Sequence, residues 1–79
     1  MDKDQQEKKR FLEEQIEWCK KQDAILQEIE EKLYKMKELA EYSCNNEITP
    51  LETEKLNNEL NTLKQEVHSL EQILQSVVN

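Results

Sequence analysis

Apolar residues recur at helical spacing along almost the whole chain. In the first half, Leu12, Cys19, Leu26, Leu33 and Ala40 lie seven apart, and Ile29 and Met36 fall three after Leu26 and Leu33. Phe11, Trp18, Ile25 and Leu39 flank that row on one side. The pattern predicts an amphipathic helix over about residues 3–43. Its apolar stripe is three positions wide per heptad, broader than a two-stranded seam needs. Gln15 and Gln22 interrupt the stripe at inner positions. The outer face offers Glu17/Lys21, Glu28/Lys32 and Glu31/Lys35 at i,i+4, with the acid N-terminal, the favoured orientation. In the second half, Leu56, Leu60, Leu63, Val67, Leu70, Leu74 and Val77 alternate spacings of four and three without an error. That is a left-handed coiled-coil seam on a helix over about residues 50–78.

Between the two patterns lies Tyr42-Ser43-Cys44-Asn45-Asn46-Glu47-Ile48, a predicted break over residues 44–49. Asn tolerates the left-handed conformation that closes a helix where no Gly is present. Thr49-Pro50-Leu51-Glu52 then reads as a helix start. Thr49 caps, Pro50 suits the first helical position, and Glu52 completes a capping box. So short a connection favours an antiparallel hairpin. The whole chain, residues 1–79, is then one all-α hairpin about 60 Å long rather than a rod of about 110 Å. Folding about residues 47–48 sets Met36 against Leu56–Leu60, Leu26 against Val67–Leu70, and Cys19 against Leu74–Val77. Phe11 and Leu12 project past the end of the second helix. That overhang and the broad stripe predict a second subunit, giving a homodimeric four-helix bundle.

Composition and charge narrow the function. The chain has no Gly, one Pro and 37% charged residues, and its net charge is −7. Residues 1–45 carry 12 acids and 9 bases, and residues 46–79 carry 6 acids and 2 bases. Neither half is basic, so nothing draws the chain to a phosphate backbone, and no nucleic-acid partner is expected. Lys8-Lys9-Arg10 is flanked by Asp4, Glu7, Glu13 and Glu14 and reads as a solvated helix face. No apolar run approaches the ~20 residues of a membrane span. The first residues, Met1-Asp2-Lys3-Asp4-Gln5, lack the apolar core of a secretory signal. A cytoplasmic protein with no membrane partner is expected. Cys19 and Cys44 lie almost 40 Å apart along a continuous helix. A disulfide needs Cα atoms within about 7 Å, so both thiols are expected to be reduced.

Candidate chemistry is sparse. His68 is the only histidine, and Gln65 stands where a Glu-x-x-His metal motif needs its Glu. Glu71, three residues on, is the neighbour left to pair with it. The carboxylates lie beside lysines on solvated faces, without the pocket that general acid–base work requires. Cys19 reads as a small core residue and Cys44 as the more exposed thiol. No Gly-rich phosphate loop exists. No enzyme activity, catalytic residue, metal or cofactor is expected. Trp18 reads as core, or as an anchor for a partner if it is exposed near Phe11. The candidate site is a helix interface: Phe11, Trp18, Leu26, Ile29, Leu33 and Met36 on the first helix, and Leu56, Leu60, Leu63, Val67, Leu70 and Leu74 on the second.

Two family resemblances follow from local motifs. Leu26, Glu28 and Ile29, then Leu33 with Lys35-Met36-Lys37-Glu38-Leu39-Ala40, lead into a break with Asn45, Asn46 and Thr49. Leu56, Glu59, Leu60, Leu63, Glu66 and Val67 follow. This stretch, Leu26 to Val67, resembles the N-terminal conserved helical hairpin of bacterial flagellins, the part that packs the filament's inner shell. The chain departs from that pattern in lacking the Gly of the break and in carrying Thr53 where the family has Arg. The resemblance implies a truncated relative that packs against a flagellin-like or self-derived helix. Asn57-Asn58-Glu59-Leu60-Asn61 is similar to the Ser-Gln-Glu-Leu-Asp motif of small sporulation-type aspartyl-phosphate phosphatases, with Asn61 at the directing carboxylate. The expected function is protein–protein interaction, structural or regulatory. The alternative is a small regulatory phosphatase or inhibitor in a two-component or sporulation pathway.

Overall fold

The computed structural model describes residues 2–78, with side chains through Ser76. It consists of two helices, α1 (Lys3–Asn45) and α2 (Pro50–Val78). Its longest extent is 70 Å. At ~1.5 Å per residue, the 43 residues of α1 alone account for about 65 Å of that. So α2 folds back along α1 rather than extending it. The protein is an all-α hairpin, and among the described residues there is no strand.

The chain's local chemistry accounts for both ends of the connection. The Asp2 side chain accepts from the Asp4 backbone N–H and starts α1. At the other junction the Glu52 backbone N–H donates to Thr49 Oγ1 at 3.1 Å, the cap that the motif predicts. The Thr53 backbone N–H donates to the Thr49 carbonyl at 2.9 Å, and Pro50 is the first helical residue. The end of α1 differs from expectation. No residue among those described has a positive φ. The chain leaves α1 through an extended Asn46, at φ −129° and ψ 147°. In place of a left-handed closure, side chains bond two carbonyls of the last turns. Asn46 Nδ2 donates to the Tyr42 carbonyl at 2.9 Å, and Ser43 Oγ donates to the Ala40 carbonyl at 2.8 Å. Helical geometry continues through Cys44 and Asn45, beyond the expected end near residue 43.

The hairpin holds one thin core. Ile29 on α1 and Val67 on α2, 9% and 7% exposed, are its buried apolar side chains. The core runs the length of α2 as a single seam, since two helices can bury only the faces they turn to each other.

Candidate helix-pairing face

The α2 half of the seam is the row of Leu and Val. Val67 is buried and Leu56, Leu60, Leu63, Leu70 and Leu74 are half-buried. The side chain of Val77, the next position of that row, lies outside the described residues. On α1 the covered positions are Gln22, Ile25, Ile29, Lys32, Met36, Leu39 and Ser43. Their spacings alternate three and four, the complement of the α2 row. Continued toward the N-terminus, the same register runs through Trp18, Gln15 and Phe11. Ile29 and Met36 of the expected interface therefore face α2.

Leu26 and Leu33 do not. They are 47% and 50% exposed, and Leu12, Cys19 and Ala40 of the same row are exposed as well. The row that the sequence placed at the centre of the stripe is its outer flank, about 100° round the helix from the flanking row that packs. Physical spacing explains the correction. The α2 seam presents two knobs per heptad and needs two holes per heptad in return. Leu12, Cys19, Leu26, Leu33 and Ala40 supply one residue per heptad, whereas the 3–4 row supplies two. Cys19 is accordingly an exposed thiol, not a core residue, and so is Cys44; both are free.

The polar members of the α1 row are accommodated in different ways. Lys32 lays its apolar stem in the seam and pairs its ammonium with Glu66 of α2. The in-helix pairing expected with Glu28 is thus replaced by one across the hairpin, and it ties the register within a turn of that expected from the loop. The hydrogen bond to Glu66 raises the Lys32 pKa above its ordinary value. Desolvation opposes that shift, and the negative fields of Glu66, Glu28 and Glu31 reinforce it. Among the described residues the other ion pair is Lys37–Glu41, at 3.9 Å and exposed. Gln22 Nε2 is shielded from solvent with no hydrogen-bond partner among the described residues. A search for apolar side chains misses both Lys32 and Gln22 as members of the packed row. The unbroken 3–4 register through Gln22, Ile25, Ile29 and Lys32 is the signal in the sequence that finds them.

Beyond α2, α1 runs on uncovered. Lys32 stands opposite Glu66, so Val78, twelve residues on, reaches the level of Lys20, twelve residues back. Residues 3–19 overhang. Phe11, Leu12 and Ile16 there are more than half exposed, and Trp18, near the end of α2, is 39% exposed.

Elsewhere the surface offers little chemistry. His68 Nε2 lies 3.2 Å from Gln72 Nε2, so its neighbour is Gln72 rather than Glu71. A groove of about 440 Å³ between the helices has Leu39 and Leu63 among its walls, with Lys35, Glu38, Asn58, Glu59 and Thr62. Among the described residues no group of three or more His, Cys, Asp or Glu side chains could hold a metal ion. None of the described helices is long and apolar enough to cross a membrane.

The fold and the face define an antiparallel two-helix hairpin with one filled seam and one uncovered apolar row. Comparison with protein-family models, curated proteins and solved structures finds no match.

Proposed function

We propose that the chain is a non-enzymatic helix-pairing module that works as a homodimer, two hairpins forming a four-helix bundle in a structural or regulatory role. Its setting in this reading is the cytoplasm, with both thiols reduced. The observation that carries the proposal is exposed surface. The hairpin leaves 6838 Å² accessible. A compact monomer of 9.5 kDa exposes about 5,000 Å². The excess is about 1,800 Å² per chain, so two copies could cover several thousand Å², the range of obligate dimers. The two buried residues, Ile29 and Val67, make a small core for so short a chain, one that a second copy would enlarge.

Sedimentation equilibrium at micromolar concentration tests the reading. A particle of about 19 kDa, twice the 9.5 kDa chain, is expected. A 9.5 kDa particle across that range would show that the hairpin stands alone.

A further inference from the structure

We propose that the second copy lies antiparallel along α1, with the two-fold axis beside Leu26, and that the exposed seven-residue row is the surface it covers. This rests on the homodimer reading above and specifies its geometry.

The row is Leu12, Cys19, Leu26, Leu33 and Ala40, apolar at every step and exposed throughout. Helix α2 makes no use of it, because α2 is committed to the 3–4 row. A row of constant pitch is complementary to its own antiparallel copy. Only an axis at Leu26 gives all five residues a counterpart: Leu26 meets Leu26, Cys19 meets Leu33, and Leu12 meets Ala40 of the second copy.

Three opposite-charge approaches accompany the same arrangement. On the solvent side of the row, this register sets Lys9 within about 3 Å, along the axis, of the level of Glu41 of the second copy. By the same displacement Glu13 meets Lys37, and Lys20 meets Glu30. Ile16 meets Tyr34, and these two apolar side chains are 56% and 62% exposed in the single hairpin. A parallel pairing would instead bring this solvent-side flank against the flank of the second copy that α2 already covers. Two like-charged approaches remain in the antiparallel register: Asp23 beside Glu30 of the second copy, with Lys20 between them, and Glu13 beside Glu41, with Lys9 and Lys37 between them. The overhang finds its place too. Residues 3–19 of each chain lie beside the turn end of the other hairpin, where Tyr42 and Leu51 are exposed.

A cysteine on a two-fold axis faces itself, which gives a direct test. In a chain carrying Cys19→Ser and Cys44→Ser, Leu26→Cys should form a covalent dimer under mild air oxidation. It should do so at least roughly ten-fold faster than Ala24→Cys on the opposite side of α1, since a disulfide requires close Cα atoms. Circular dichroism confirms that both variants remain helical. Separately, Asp23→Lys in the unmodified chain removes the closer like-charged approach and should lower the dimer dissociation constant several-fold. A dimer by sedimentation in which Leu26→Cys has no advantage, or in which Asp23→Lys leaves association unchanged or weaker, overturns this face and leaves the homodimer standing. A monomer by sedimentation overturns both.

Discussion

Two rows of α1 run side by side, and the more apolar one is not the one that folds the chain. The covered row holds Gln22, Lys32 and Ser43 among its seven positions; the exposed row, Leu12 to Ala40, holds no charged or amide side chain. Apolar character alone would choose the second row. Packing chooses the first, because interdigitation with α2 depends on two residues per heptad rather than on average polarity. The polar members are tolerable for separate reasons. Lys32 reaches Glu66, Ser43 bonds its own helix, and Gln22 is a local weakness. The exposed row is thereby left uncovered within the hairpin.

The contrast can be broken at its strongest point first. Leu63→Asp puts a carboxylate into the seam, where desolvation without a partner costs several kcal/mol. Circular dichroism should show the helices lost or greatly weakened. Glu54→Lys, on an exposed position, should stay within about 0.5 kcal/mol of the unmodified protein. Equal losses for the two would mean that the α2 seam is misassigned.

A change in the other row should separate folding from association. Leu33→Asp should weaken self-association by about 2 kcal/mol or more, the scale of an interface anchor. The hairpin should keep its helical signal at concentrations where the proposed dimer of the unmodified chain forms. Concentration-dependent sedimentation read alongside circular dichroism checks it. Parallel loss of both would make the two rows one cooperative unit.

Gln22→Leu sharpens the covered row. It removes a shielded amide nitrogen that lacks a partner and adds an apolar contact, so the denaturation midpoint should rise by an equivalent of about 1 kcal/mol. A fall would mean that Gln22 makes a hydrogen bond worth more than the contact.

The smallest effect is a pH dependence. Folding raises the Lys32 pKa, chiefly through its hydrogen bond to Glu66. The pair's stabilisation is therefore fully present below the ordinary lysine value and is lost as pH rises through the higher folded one. The thermal midpoint difference between the unmodified chain and Lys32→Met should be constant up to about pH 9 and change only above about pH 10.5. A change centred near neutrality would assign it to another group.

The amino-acid sequence by itself determined the elements and their junction. Helix formers without Gly, the 4–3 row from Leu56 to Leu74, and Thr49-Pro50-Leu51-Glu52 all act within a turn or two of chain, so their consequences are legible locally. Tertiary structure decided what no local rule contains. It turned Ile25, Ile29, Met36 and Leu39 rather than Leu26 and Leu33 toward α2, and it drew Lys32 away from Glu28 to Glu66. It also let Asn46 leave α1 in extended form, its amide holding the Tyr42 carbonyl. An amphipathic helix with a stripe three positions wide has more than one face it can bury. Which face it buries is fixed by the spacing of the knobs on the helix that arrives opposite, a property of the pair that neither segment carries alone.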